Sequence, residues 1–303
     1  MSDRLPAPSS SQEWVGTVRA VQANYYRVVL DSLSEKGRPD DEALPELLCV
    51  RRSRLKKTGQ QVITGDRVVV TDPDWPSGRA AINEVLPRQT WLPRPAIANV
   101  SQALVVCALF EPEPDPLHFS RLLVQAEACG LTVRPCLNKS DLVEPEQVER
   151  WRSRVQSWGY DPLILSARTG EGIATLTTTC RDRISVMAGG SGMGKSSLLN
   201  ALLPEVSLRT QPVSGRLQHG RHTTRHVELF AMPDGGWLAD TPGFNQVELT
   251  ECRSDSLASC FPEIRQRATE CQFPDCRHQQ EPGCAVRELE WERYEHYLSF
   301  LDE

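Results

Sequence analysis

Residues 189–196 constrain the fold of this chain more than any other stretch, because they match the pattern G-x-x-x-x-G-K-[ST] at every fixed position. An apolar run at 184–188 comes directly before them, and leucines at helical spacing follow. Glycines let backbone N–H groups curl around phosphate oxygens, and the N-terminus of the next helix adds a partial positive charge. The pattern therefore predicts a strand, a phosphate-binding loop and a helix; an ordinary glycine-rich turn is the alternative.

The same pattern assigns roles to single residues. Lys195 is expected to reach the β- and γ-phosphates and to act in catalysis, and the Ser196 hydroxyl is expected to ligate Mg²⁺. Met193 should contribute only backbone and packing. The predicted nucleotide contacts in this loop are Gly189, Gly190, Ser191, Gly192, Met193, Gly194, Lys195, Ser196 and Ser197.

Composition narrows the class of protein. The 303 residues carry a formal net charge of -6, which excludes a polycation that coats nucleic acid indiscriminately. Residues 1–12 are polar and contain two prolines, so we expect a disordered tail and not a signal peptide. No apolar run approaches the length of a membrane span, and we expect a cytoplasmic protein with no membrane partner.

Residues 13–86 alternate short apolar strands with loops rich in Gly, Pro, Asp and Ser, including a predicted loop at 72–78. This pattern indicates a small closed β-barrel, for which the OB-fold is the best match. The predicted strands are 14–18, 25–30, 47–50, 66–70 and 80–82. A basic run follows the third strand, and it is either a solvated turn or a contact for an RNA backbone. Its members are Arg51, Arg52, Arg54, Lys56 and Lys57.

Residues 87–95 contain three prolines and two arginines and are predicted to form a linker. From 96 to 246 the pattern alternates strand and helix, which is typical of a parallel sheet wrapped by helices. The predicted strands are 104–109, 132–137, 163–165, 183–188, 227–231 and 237–239, and the predicted helices are 118–129, 145–158 and 172–180.

A second motif of this region, N-K-x-D at 138–141, points to the base of the nucleotide. The Asp141 carboxylate would accept hydrogen bonds from the guanine N1–H and its amino group, while Asn138 and Lys139 would brace the loop and cover the base. By itself this sequence is also a good polar turn. Ser166 and Ala167 follow the next predicted strand, where their backbone amides would contact guanine, and together with the phosphate loop they favour the guanine site.

Two further segments fit the switches of a GTPase. Asp240 and Gly243 form D-x-x-G, in which the aspartate holds Mg²⁺ through a water and the glycine N–H senses the γ-phosphate. Residues 220–224, Gly-Arg-His-Thr-Thr, suit a mobile loop whose threonine completes the Mg²⁺ shell. Either Thr223 or Thr224 fits this role, and Thr223 is slightly preferred.

The order of these motifs is unusual, because base recognition precedes the phosphate loop and the switches come last. In ordinary GTPases the phosphate loop comes first. The order therefore predicts a circularly permuted GTPase sheet, which is tolerated because chain ends can be joined and reopened at surface loops.

Near the C-terminus, Cys271, Cys276, His278 and Cys284 lie within fourteen residues, which is a complete Cys₃His set for tetrahedral Zn²⁺. Four protein ligands leave no position for water, so the predicted zinc is structural; chance clustering of free cysteines is the alternative. Residues 247–303 are predicted to form a helical zinc-binding domain, with helical spacing at 255–268 and 286–301. Four other cysteines lie singly in apolar stretches, which suits a reducing compartment.

All these motifs together resemble the circularly permuted GTPases of the RsgA family, and the resemblance covers nearly the whole chain: barrel, N-K-S-D, phosphate loop, G-R-H-T-T, D-T-P-G-F and metal cluster. Arg94-Pro95 and Ala98-Asn99-Val100 also look like that family. Phe244 stands where Ras-like enzymes place the glutamine that orients water, and the resemblance favours His222 for that role; packing in a surface loop is the alternative.

The resemblance implies a GTPase that hydrolyses GTP to GDP with Mg²⁺, binds the small ribosomal subunit late in its maturation, and contacts rRNA through the barrel and the zinc region. We expect a monomer and no DNA partner. Two alternatives stay open from the sequence: an RNA-binding protein whose nucleotide site only senses occupancy, and a small-molecule kinase, which N-K-S-D and D-T-P-G disfavour.

Overall fold

A computed structural model describes residues 13–31, 46–93, 95–203, 227–240, 254–287 and 291–303, with the side chains of 56, 240 and 254–256 excepted. The described residues divide into two compact units. The first comprises those up to Asn99 together with 227–229, and the second comprises the others, from Val100 onward.

The first unit is a five-stranded barrel. Antiparallel pairing joins β1 to β2, β2 to β3 and β4 to β5, parallel pairing joins β3 to β5, and β1 also pairs with β4, which closes the barrel. Alternate residues of each strand point inward, and Val18, Val28 and Val68 are among those in its core. The strands are β1 (Trp14–Gln22), β2 (Tyr25–Leu30), β3 (Glu46–Arg51), β4 (Arg67–Asp74) and β5 (Arg79–Val85). The predicted barrel is confirmed.

Strand β4 is longer than the sequence predicts, because it includes residues 72–74 of the predicted loop. The register of β4 against β5 shifts between Thr71 and Asp74, and Asp72 has a φ of 54°. This irregularity is a bulge, and a bulge is one of the few places where a sheet accepts a proline such as Pro73, which has no N–H to donate.

The basic run after β3 lies partly in a short helix, α1 (Ser53–Lys57). Two of its arginines are engaged within the barrel: Arg51 Nη1 donates to Gln60 O at 3.1 Å, and Arg52 pairs with the Asp72 carboxylate. These two side chains therefore have intramolecular partners.

The segment between barrel and sheet carries a short antiparallel pair, β6 (Trp91–Pro93) and β7 (Ala96–Ala98). The Asn99 side chain fixes it to the barrel, since Nδ2 donates to Gly65 O at 2.9 Å and Oδ1 accepts from the Gln89 N–H at 2.8 Å.

The second unit contains a parallel sheet with the strand order β10-β9-β8-β11-β13. Every residue of β8 is buried, as expected for a central strand covered on both faces. The strands are β8 (Gln102–Ala108), β9 (Thr132–Asn138), β10 (Leu163–Ile164), β11 (Ile184–Ala188) and β13 (Trp237–Asp240), and β12 (Glu228–Ala231) begins in the first unit. The helices are α2 (Pro116–Ala128), α3 (Pro145–Ser157), α4 (Ile173–Thr179) and α5 (Lys195–Leu202).

The C-terminal region belongs to this second unit. It consists of a 3₁₀ turn (Ser254–Cys260), α6 (Pro262–Arg267), a second 3₁₀ turn (Ala268–Glu270) and α7 (Glu292–Leu301). Its core includes Phe261 and Tyr297 and also Val124 of α2, so it packs directly on a helix of the sheet.

The two helices predicted for this region are shorter in the structure. The stretch 255–268 is divided at Pro262, because the residue before a proline avoids the helical conformation, and Phe261 has φ -111° and ψ 107°. The second helix begins at Glu292 and not at 286. None of the described helices is both long and apolar enough to cross a membrane.

Candidate nucleotide site and metal centre

The carboxyl ends of the parallel strands bring the predicted nucleotide motifs together. Ala108 at the end of β8 pairs with Asn138 at the end of β9, and β11 runs parallel to β8 and leads into the phosphate loop. Strand β10 leads in the same direction to Ser166. Ligands of open α/β sheets bind at this edge, so the base motifs and the phosphate loop share one site.

The phosphate loop requires glycine at specific positions. Gly192 and Gly194 have φ values of 81° and 87°, which L-residues with a Cβ rarely adopt. A methyl group on Gly189 would lie 2.6 Å from Val106 O, and one on Gly194 would lie 2.3 Å from Asn138 Nδ2. Glycine at 189 therefore lets the loop lie close against β8, and glycine at 194 lets it lie close against the base motif.

Lys195 begins helix α5 and folds back over the loop. Its Nζ donates to Gly189 O at 2.6 Å and to Gly190 O at 2.7 Å. Burial lowers the pKa of Lys195, since the partly buried ammonium is poorly hydrated. These bonds hold the ammonium at the loop where the motif places the phosphates.

Asn138 joins the base motif to the phosphate loop. Its Nδ2 donates to Met193 O at 2.9 Å, and its Oδ1 is buried without a hydrogen-bond partner among the described residues. The Met193 side chain packs into the core of the sheet, where its sulfur accepts from the Ala108 N–H at 3.2 Å. Asn138 therefore joins the two motifs directly, although it lies 55 positions from Met193 in the sequence.

We expect Gly194→Ala to weaken GDP binding severely, because the new methyl group would push Asn138 away from Met193 O and would strain a backbone with positive φ. Gly59→Ala is the matched control, since Gly59, in the barrel, also has a positive φ but has no heavy atom within 4 Å of the added methyl. Fluorescence titration with a labelled GDP checks this; equal affinities for the two variants would contradict the steric argument.

The Asp141 carboxylate is held by two residues of the segment that follows β10. Its Oδ1 accepts from the Ser166 hydroxyl, and its Oδ2 accepts from Arg168 Nε at 2.6 Å. The Ser166 hydrogen bond and the Arg168 guanidinium both lower the pKa of Asp141, so the carboxylate is ionised and ready to accept further N–H donors. Lys139, with a φ of 64°, reaches across to Glu111 O.

Arg168 is a site residue that the motifs do not predict, and the motifs give the same role to both amides of Ser166-Ala167. A basic residue directly after Ser-Ala was the available signal for Arg168. The Ser166 N–H donates to Glu171 O at 3.1 Å, so it is already used within the loop. What Ser166 contributes to the site is its hydroxyl, bonded to Asp141.

Several predicted residues lie outside the part of the chain that the structure describes: Arg94, His222, Thr223, Thr224, Gly243 and Phe244. Asp240 is described only as the last residue of β13. Ser196 and Ser197 lie exposed in the first turn of α5, beside Lys195.

The four predicted metal ligands come together in the C-terminal region. One potential ligand atom from each of Cys271, Cys276, His278 and Cys284 lies within 4.8 Å of all the others. His278 Nδ1 is 3.6 Å from both Cys271 Sγ and Cys284 Sγ. Ligands at typical zinc distances with tetrahedral angles are about 3.6 Å apart for such a nitrogen–sulfur pair, so the observed spacing fits a single zinc ion.

Hydrogen bonds within the protein also hold the loop that carries these four residues. The Glu281 carboxylate accepts from the backbone N–H groups of Arg277, Gln279 and Gln280, at 3.0, 2.9 and 3.1 Å. Hydrogen bonds from backbone N–H groups lower the pKa of Glu281 to about 2, and the N–H of Glu281 itself has the largest effect. Tyr294 OH donates to His278 O at 2.7 Å, which links the loop to α7.

The chemistry of the donor set also fits a cation. Desolvation raises the pKa of Cys276 to about 12, so its thiol would stay protonated without a positive charge beside it. Desolvation lowers the pKa of His278, which keeps the imidazole neutral and able to act as a ligand. A divalent metal ion would supply the missing charge and convert the thiols to thiolates.

A family model described as RsgA GTPase matches residues 85–250, which include the base motif, the phosphate loop and both switch segments. This chain belongs to the RsgA GTPase family. The resemblance inferred from the motifs is therefore confirmed, and the chain is a GTPase.

Curated relatives and solved structures match this chain over nearly its full length. A protein of Trichormus variabilis named "Small ribosomal subunit biogenesis GTPase RsgA" is 53% identical over 302 residues, 95% of this chain and 81% of that protein. The crystal structure of YjeQ from Thermotoga maritima matches with a TM-score of 0.78 and 30% identity, covering 96% of this chain and 98% of that one. The structure of YloQ, described as a circularly permuted GTPase, matches with a TM-score of 0.78 and 29% identity over 96% of this chain and 94% of that one. The predicted permutation is confirmed.

Proposed function

We propose that this RsgA-family GTPase hydrolyses GTP to GDP and phosphate during late maturation of the small ribosomal subunit. The observation that carries the nucleotide assignment is the Asn138–Met193 hydrogen bond, which makes the base motif and the phosphate loop a single site. The ribosomal assignment rests on the names of relatives that match 95% of this chain. An occupancy sensor with negligible turnover is the alternative outcome of the experiment below.

The residues have the following roles in this proposal. Backbone N–H groups of the phosphate loop bind the phosphates, Lys195 neutralises charge that develops at the β–γ bridge, and Ser196 ligates Mg²⁺. Thr223 and Asp240 complete the Mg²⁺ shell, and Gly243 senses the γ-phosphate. His222 positions the attacking water, because Phe244 has no polar group to do so.

At the base, the Asp141 carboxylate accepts from guanine N1–H and the exocyclic amino group, and the Ala167 N–H donates to the guanine carbonyl. We expect Asp141→Ala to abolish the preference for GDP over ADP, since a site that loses its hydrogen-bond acceptor no longer discriminates by that contact. Competition of ADP against labelled GDP measures this. Asp161→Ala is the matched control, because this aspartate is exposed at the start of the β10 segment; retained guanine preference in Asp141→Ala would exclude the proposed base site.

The C-terminal cluster is proposed to hold one structural Zn²⁺, because four protein ligands leave no open position. The barrel and the zinc region are proposed to contact rRNA, with Arg54 as an exposed basic side chain of the barrel. The protein is proposed to act as a monomer in the cytoplasm, where small subunits mature.

The deciding experiment measures phosphate release from GTP by the purified protein with and without small ribosomal subunits. The expected result is strong stimulation by small subunits and none by large subunits. If GTP binds tightly but turnover is negligible and small subunits do not stimulate it, the occupancy sensor is favoured instead. A preference for ATP over GTP would exclude both the GTPase and the GTP sensor.

A further inference from the structure

Arg293, in the first turn of α7, is an arginine that the nucleotide site and the metal centre leave unexplained. It is only 1% exposed, and its charge is paired inside the molecule. Its Nε donates to Ser120 Oγ on α2 at 2.9 Å, and its Nη1 donates to Glu263 Oε2 on α6 at 3.1 Å. One side chain therefore joins the C-terminal region to a helix of the GTPase sheet.

Aromatic rings surround this guanidinium. It lies 4.5 Å from the centroid of Phe261, 5.3 Å from that of Trp158 and 5.6 Å from that of Tyr160. Trp158 and Tyr160 follow α3, whereas Phe261 precedes α6, so the rings come from both sides of the junction. An ion this far from water is tolerated only with its partners in place. The buried guanidinium consequently ties α7 to α2.

The helix that receives this bond also lies against the phosphate loop. Helix α2 begins at Pro116, and its N-cap, Asp115, accepts from the N–H groups of Leu117 at 2.9 Å and His118 at 3.2 Å. His118 Nε2 is 3.7 Å from the position that a Cβ would take on Gly190. Ser120 follows His118 by two residues, and residues two positions apart on an α-helix are separated by about 200°, so these two side chains point to nearly opposite faces.

The connection just before α2 also approaches the same loop, because Pro112 Cδ is 3.2 Å from the position that a Cβ would take on Gly192. The N-terminal part of α2 thus lies close to the phosphate loop on one face, and on the other face its Ser120 accepts the hydrogen bond from Arg293.

We propose that Arg293 is a positioning residue for the phosphate loop and acts through Ser120 and the first turn of α2. The inference rests on the proposed nucleotide site and adds a residue of the C-terminal region to it. Because coupling between two sites is reciprocal, a nucleotide in the phosphate loop stabilises α7 in turn.

A neighbouring pair provides a matched control. Arg121, the next residue of α2, is paired with Glu303 at the C-terminus, and its guanidinium lies 4.6 Å from the Phe300 ring centroid. This pair joins the same two parts of the chain, but Arg121 and Glu303 are 28% and 44% exposed at their side chains. Ion pairs at the surface contribute little, so Arg121→Gln should leave the phosphate loop unaffected.

The experiment compares Ser120→Ala with Arg121→Gln in the full chain. We expect Ser120→Ala to weaken GDP binding by roughly two- to thirtyfold, the range for residues that couple two sites, without loss of bound metal. Hydrogen exchange should show that GDP protects residues 292–301 in the unmodified protein and in Arg121→Gln, but not in Ser120→Ala.

Unchanged GDP affinity in Ser120→Ala, with only a lower melting temperature, would reduce Arg293 to a structural residue and overturn the inference. Absence of GDP-dependent protection at 292–301 in the unmodified protein would overturn it without any variant, even if Ser120→Ala fails to fold. Both results differ from a failure of the proposed function, in which the unmodified protein itself would not bind GDP.

Discussion

Replacing Lys195 by alanine is expected to lower GTP hydrolysis by on the order of 10²- to 10³-fold, the cost of removing one preorganised donor from a site of charge development. Gly189 O and Gly190 O hold the ammonium at the loop and use two of its three N–H donors, which leaves one donor for the phosphates. Single-turnover phosphate release at saturating GTP measures the chemical step directly.

The control for Lys195→Ala is Asn200→Ala, an exposed position on the same helix. It tests whether any change in α5 affects turnover. Hydrolysis that persists at the normal rate in Lys195→Ala would rule out the proposed role of this loop in catalysis and would leave it as a binding element only.

Loss of the metal is expected to have the largest effect on stability. In small zinc-binding peptides a structural zinc contributes roughly 10–16 kcal/mol of apparent binding free energy, much of it as folding. Cys284→Ser removes a buried ligand, and we expect metal content to fall from one per chain to near zero. The region 254–301 should then lose its protection from hydrogen exchange, since its core is small.

Cys129→Ser is the matched control for this variant, because Cys129 lies at the end of α2 and outside the cluster. Metal content is measured with a chromogenic chelator after denaturation. A metal-free Cys284→Ser chain that keeps native exchange protection at 254–301 would mean that packing against α2, for example at Val124, holds this region without the ion.

The sequence was most informative where function depends on short spacing. The phosphate loop, Asn138, Asp141 and the four metal ligands could all be named, because each motif places its chemistry within a few residues of backbone. The strand and helix bounds of the sheet also follow from apolar periodicity. Features without a periodic signal do not follow from the sequence. Neither the bulge at 72–74 nor the late start of α7 leaves such a signal, and the sequence predicts neither.

Contacts between distant residues could not be predicted in this way. Periodicity says that one face of a helix is buried, but it does not say what covers that face. Three such contacts join residues at least 27 positions apart: Asn138 with Met193, Asp141 with Arg168, and Arg293 with Ser120.

By itself, then, the sequence determined which chemical groups this protein carries and in what order: guanine recognition, phosphate loop, switches and metal cluster. Only the tertiary structure decided that the first two motifs are joined by a direct hydrogen bond, and that the C-terminal region packs on helix α2. The physical reason is that ligand chemistry depends on side-chain type and on local spacing along the chain. The docking of one element on another depends instead on burial and hydrogen bonding between segments that meet only when the chain is folded.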